Sequence, residues 1–106
     1  QSVHAFGGFR VQGRSSEQRR MILEHARALE DAGCFSVVLE CVPTPLVQEI
    51  TASLSIPTIG IGAGSGCDGQ VLVLHDLLGL TTGFKPKFVR SYMDGAEQIT
   101  RALSAF

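Results

Sequence analysis

The sequence lacks a Cys-x-x-Cys pair, an excess of either charge, an apolar run long enough to cross a bilayer and a signal-peptide pattern at its start. Each absence removes a class of function. Three cysteines (Cys34, Cys41 and Cys67) are an odd number, which argues against a disulfide framework and for a reducing, cytoplasmic setting. His4, His25 and His75 are far apart and stand at no zinc-type spacing to the cysteines, so no metal site is expected from them. Nine basic against ten acidic side chains give a net charge of −1. Without a basic stripe there is no phosphate-neutralising surface, and nucleic acid is not an expected partner. No stretch approaches the roughly 18 apolar residues of a membrane span. The opening Gln1-Ser-Val-His4 has no initiator methionine and reads as the interior of a longer protein.

What is present suits a folded domain. The chain has 106 residues, of which 44% are hydrophobic and 18% charged, a balance far from that of a disordered chain. A domain of this length buries roughly two-thirds of its unfolded surface, enough for a core.

Residues 1–14 form a glycine-punctuated basic loop. Ser15 or Ser16 then opens a helix, with Gln18 placed for a capping box. Ile22, Ala26 and Leu29 recur at i, i+4 and i+7 as its buried stripe, and Gly33 is placed for a left-handed cap. Phe35-Ser-Val-Val-Leu39 is short and nearly continuous in apolar character, the pattern of a strand covered on both faces. Thr44-Pro45 reads as N-cap and first helical residue, with Val47, Ile50 and Leu54 as the stripe that follows. A second buried strand is expected over 58–63, where glycines mark close approach by another segment or a ligand. The alternation implies a parallel α/β sheet.

Gln70-Val-Leu-Val-Leu74 looks like a third strand, but 64–69 is short for a crossover helix. A hairpin turn at Asp68-Gly69, or a helix capped by Asp68, fits locally as well, and strand and helix stay open over 69–78. A final helix is expected from about Asp94, with Ile99, Ala102, Leu103 and Phe106 on its apolar side. No repeat or interdomain linker interrupts these elements.

Glu40 is the candidate catalytic residue. It closes an apolar strand, and in β/α barrels the reacting groups project from the C-terminal strand ends. A carboxylate there is suited to proton transfer, although a structural glutamate bonded to a neighbouring loop would occupy the same place. The run Gly60-Ile-Gly-Ala-Gly64-Ser-Gly66 does not match a phosphate loop. It lacks the third glycine of GxGxxG and has no Walker Gly-Lys-Ser/Thr. His75-Asp76 resembles a base and its orienting partner, but neighbours in a strand face opposite ways, and a tie between a loop and the barrel end fits better. His4 and Arg10 read as solvated or subunit-contact residues, and His25 as a surface residue. Cys41 has no evident histidine partner and reads as a small buried thiol.

Taken together, these phrases resemble one family. Ser2-Val-His-Ala-Phe-Gly-Gly-Phe-Arg-Val-Gln-Gly-Arg14, Val38-Leu-Glu-Cys-Val-Pro43, Ser55-Ile-Pro-Thr-Ile-Gly-Ile-Gly-Ala-Gly64, the stretch Asp68 to Leu80, and Pro86-Lys-Phe-Val89 are similar to successive signatures of ketopantoate hydroxymethyltransferases. They occur in that family's order across essentially the whole chain.

The resemblance implies an α/β fold, the C-terminal portion of a (β/α)8 TIM barrel of the phosphoenolpyruvate/pyruvate type with about its last three strands, over residues 1–106. It implies transfer of a one-carbon unit from 5,10-methylenetetrahydrofolate to 3-methyl-2-oxobutanoate, giving 2-dehydropantoate for pantothenate biosynthesis. Glu40 inherits the role of proton acceptor. Magnesium is implied as cofactor, with ligands in an N-terminal part that this chain does not include, as are most substrate contacts. The implied partners are the 2-oxo acid, the folate, that N-terminal part and further copies in a homo-oligomer, a decamer in many members. Neither nucleic acid nor membrane is implied. The chain alone is expected to be inactive and to expose apolar barrel edges. A related 2-oxo-acid barrel that makes or breaks a carbon–carbon bond without folate, or a noncatalytic assembly module, would share much of this pattern.

Overall fold

The computed structural model describes Gly13 and residues 15–106. The loop expected over 1–14, with His4 and Arg10, lies outside the described residues except for Gly13. The chain divides after Val71 into two compact units.

The first unit opens with helix α1, Ser16–Asp31. Ser15 caps it as expected, its hydroxyl accepting from the Gln18 N–H at 3.2 Å and satisfying one of the donors a helix start leaves free. At the other end Gly33 has φ +86°. Its N–H reaches the Glu30 carbonyl and that of Cys34 the Leu29 carbonyl, the paired bonds of a Schellman stop. The buried stripe is rotated from expectation. Ile22, Leu23 and Ala26 join the core, whereas Leu29 is 45% exposed. Glu30, four residues after Ala26, takes the last turn of that face instead. Its carboxylate accepts from the Ser55 and Ile56 N–H groups at 2.7 and 3.2 Å. A polar anchor to a distant loop thus replaces an apolar contact.

Strand β1, Val37–Glu40, helix α2, Thr44–Ser53, and strand β2, Thr58–Ile61, form the expected β-α-β unit. The strands are parallel, with Val37 opposite Thr58 and Glu40 opposite Ile61. Helix α2 starts one residue earlier than its sequence suggests. Pro43 is the N-cap, Thr44 is already helical and makes no side-chain cap bond. Leu46, Val47 and Ile50 are fully buried, worth about 1.5–3 kcal/mol each. They pack with Ala26, Val37, Leu39, Val42 and Ala63 in one core.

Beyond β2 the open choice between strand and helix over 69–78 resolves into both, and the strand-like run 70–74 is strand only at its start. Only Gly69–Gln70 forms strand β3, and Leu74–Leu77 is a short helix, α3. Neither the hairpin nor a helix from Gly69 occurs, since β3 runs parallel to β2 with Gly69 opposite Ile59. The loop 62–68 needs no crossover helix for a simple reason. It retraces only the two rungs from Ile61 to Ile59, roughly 7 Å at 3.3 Å per residue.

The second unit, Leu72–Phe106, contains α3 and the final helix α4, Gly95–Ala105, with Asp94 at its N-cap. Its backbone is tied by the Tyr92 N–H to the Leu77 carbonyl and the Gly95 N–H to the Leu78 carbonyl. On α4 the apolar residues Ile99 and Leu103 are exposed. No helix among the described residues is long and apolar enough to cross a membrane.

Candidate active site at the end of the first strand

Burial alternates along β1, with Val37 and Leu39 inside and Val38 and Glu40 outside. Within the first unit, α1 and α2 therefore cover one face of the sheet. This departs from a strand buried on both faces: Val38 is 59% exposed. In a parallel pair, residues opposite one another project to the same side. Val38, Glu40, Ile59 and Ile61 consequently share the uncovered face, with Glu40 at its C-terminal rim. An acidic group at the edge of an apolar floor is what a base needs to meet a carbon acid, because the floor seats the alkyl part while the carboxylate reaches the proton.

The turn after Glu40 is unusual. Cys41 has φ +54°, the one non-glycine residue with positive φ among the described residues. Its N–H donates to the Ile61 carbonyl at 3.0 Å, a last rung between β1 and β2. Burial, and after it the negative charge of Glu40, push the Cys41 thiol up from its ordinary range. A thiol held protonated is a poor nucleophile; the side chain is half-buried, where the sequence reads as a small buried thiol.

The glycines in and after β2 admit neighbouring chain segments. A Cβ on Gly60 would stand 3.0 Å from Cys67 Sγ and 3.2 Å from the Gln70 amide, and one on Gly64 2.3 Å from Thr44 Oγ1. Gln70 spans this turn, its Nε2 donating to the Gly64 carbonyl at 3.1 Å. Without a side chain, Gly64 lets the loop after β2 approach Thr44 at the start of α2 closely.

His75 and Asp76 lie on α3 rather than on a strand. Asp76 Oδ1 accepts from the Thr81 hydroxyl at 2.7 Å, and its carbonyl accepts from the Ser91 hydroxyl at 2.8 Å. These bonds tie down the loop that follows, a structural duty. His75 and His25 are exposed.

The opposite end of the sheet carries a network that sequence reasoning missed. Thr58 is fully buried, and its hydroxyl contacts Thr51 Oγ1 at 2.8 Å and Asp68 Oδ2 at 3.0 Å. The only sequence signal was a threonine opening an apolar strand ten residues before an aspartate. A hollow of about 280 Å³ lined by Thr51, Leu54, Ser55, Ile56, Pro57 and Asp68 lies at that end, away from Glu40. Among the described residues no group of three acidic, histidine or cysteine side chains could hold a metal ion. The described residues thus offer no cluster of three such ligands to magnesium.

The family model described as ketopantoate hydroxymethyltransferase matches residues 1–106. Proteins named 3-methyl-2-oxobutanoate hydroxymethyltransferase are similar over all 106 residues: 62% identical in Bdellovibrio bacteriovorus, 58% in Legionella pneumophila and 53% in Francisella tularensis. The chain spans 40% of the length of each of these curated relatives.

Proposed function

This chain belongs to the ketopantoate hydroxymethyltransferase family, and on that premise we propose that Glu40 is the base that enolises 3-methyl-2-oxobutanoate. The observation that carries the proposal is the position of Glu40, at the C-terminal end of a parallel strand on the uncovered face above Val38, Ile59 and Ile61.

The Glu40 carboxylate takes the C3 proton and becomes a carboxylic acid. The C–H electron pair moves into a C2–C3 double bond, and the carbonyl electrons move onto oxygen. The enolate carbon then attacks the methylene of 5,10-methylenetetrahydrofolate. A carbon–carbon bond forms, both carbon–nitrogen bonds to the folate break, and water supplies the hydroxyl. The two folate nitrogens take up the proton released by that water and the proton held on Glu40, which returns to its carboxylate. The products are 2-dehydropantoate, a precursor in pantothenate biosynthesis, and tetrahydrofolate.

In this proposal the three strands belong to a (β/α)8 barrel whose remaining strands close over the uncovered face. The rest of the relatives' length would bring the magnesium ligands and most contacts to the 2-oxo acid. Homo-oligomers, the decamer included, would need both parts.

Glu40→Gln in the protein at its full natural length tests the role of the base. It keeps shape and hydrogen-bonding reach but cannot accept a proton. kcat should fall about 10²–10⁴-fold, and solvent exchange of the C3 proton, measured without folate, should fall in parallel. Normal exchange with slow product formation would move Glu40 to the folate half-reaction, and unchanged activity would leave it a structural residue.

A further inference from the structure

We propose that Cys41 is a positioning residue for Glu40, acting through its left-handed backbone and not through its thiol. This rests on the reading of Glu40 as the base.

Strict alternation would continue Leu39 in, Glu40 out, Cys41 in and Val42 out. Instead Val42 is buried at 7% exposure and belongs to the core beside Leu46 and Val47. The chain therefore changes phase within one residue, and the residue that absorbs the change is Cys41 at φ +54°. Its N–H is still held by the Ile61 carbonyl at 3.0 Å, so β1 keeps its register up to Glu40 before the chain turns. Glu40 can thus remain the last outward residue of the strand while the next side chain but one enters the helix layer.

A left-handed conformation is disfavoured for any residue with a Cβ, and cysteine has no side-chain amide or carboxylate to ease it as asparagine or aspartate does. Such a residue persists only where its surroundings over-determine it, and these sites cluster beside reacting groups. Here the restraint comes from two sides. Val42 anchors the turn in the core on one side, and on the other the Ile61 carbonyl holds the Cys41 N–H. The thiol is neutral beside the Glu40 charge and makes no hydrogen bond to a histidine among the described residues, which leaves the backbone as the working part.

The test is a substitution series at position 41, in the protein at its full natural length, ordered by tolerance of positive φ. Glycine and asparagine adopt φ near +54° readily, alanine less so, and the β-branched valine resists it. Cys41→Gly and Cys41→Asn should retain kcat within about 3-fold. Cys41→Val should lose roughly 10–100-fold in kcat and in C3-proton exchange, the scale of a small misplacement of a reacting group, with KM changed less than about 3-fold. Cys41→Ala should fall between. If Cys41→Val does not fold, the order glycine, asparagine, alanine still decides. Equal losses in Cys41→Gly and Cys41→Val would assign the role to the thiol and overturn the proposal, and full activity in Cys41→Val would overturn it too. Glu40→Gln is assayed alongside. Loss of exchange there with full activity in Cys41→Val defeats the positioning role alone, whereas normal exchange in Glu40→Gln defeats the base.

Discussion

Asp68 closes on Thr58 through three hydrogen bonds, its Oδ2 accepting from the Thr58 N–H at 2.8 Å and hydroxyl at 3.0 Å while its own N–H donates to Thr58 Oγ1 at 3.3 Å. A hydroxyl has one proton and two lone pairs. Since that proton goes to Asp68, the 2.8 Å contact with Thr51 must be donated by Thr51. Every polar capacity of this buried group is then used, and β2, the start of β3 and the end of α2 are joined at one atom.

Thr58→Val removes that atom at nearly constant volume and strands the Thr51 hydroxyl and the Asp68 N–H. The thermal midpoint should fall by about 5 °C, with kcat unaltered because the network is at the end of the sheet away from Glu40. A melting curve and an activity assay on the protein at its full natural length check both parts.

Two carboxylates make stability depend on acid. The Thr58 N–H, then its hydroxyl, hold Asp68 below the ordinary aspartate range. The Ser55 hydroxyl, then the Ser55 N–H, do the same for Glu30. A folded pKa below the unfolded one means that the unfolded chain takes up the proton first as pH falls. Their contribution is therefore complete above the ordinary carboxylate pKa of about 4 and is lost as pH drops through the lower folded values. In Asp68→Asn and Glu30→Gln the thermal midpoint should vary less with pH below about 4 than in the native protein. A slope unchanged in both variants would show that other groups set the acid limit.

Gly33 and Gly64 both have positive φ but differ in surroundings. A Cβ at Gly33 meets nothing within 4 Å, while one at Gly64 lies 2.3 Å from Thr44 Oγ1. Gly33→Ala should cost only the conformational term, about 1–2 kcal/mol. Gly64→Ala adds overpacking of about 1–3 kcal/mol. Thr44→Ala should recover part of that second term, and a double-mutant cycle in denaturant measures the coupling.

The 106-residue chain by itself should show no stoichiometric magnesium site in titration calorimetry. The residues described contain no cluster of ligands for one, and the proposed ligands belong to the rest of the barrel. A saturable isotherm at one ion per chain would refute this.

The sequence was most legible where structure follows from near neighbours. The apolar runs around Val37 and Ile59, the helix between them, the Ser15 cap and the Gly33 stop could each be read from a window of a few residues, because period, capping and φ preference act over one turn or one rung. Glu40 at the end of its strand was legible for the same reason. What lay hidden depends on partners far along the chain. Leu29 loses its place in the core because Glu30 reaches Ser55, 25 residues away. Residues 70–74 look like a strand, yet the last bond to β2 is the Val71 N–H on the Gly60 carbonyl, and Val73 already caps helix α3. Cys41 carries no sequence sign of positive φ. Its conformation follows from Val42 being drawn into the core while Glu40 stays on the ladder, a conflict that exists only once the helices have packed on one face of the sheet.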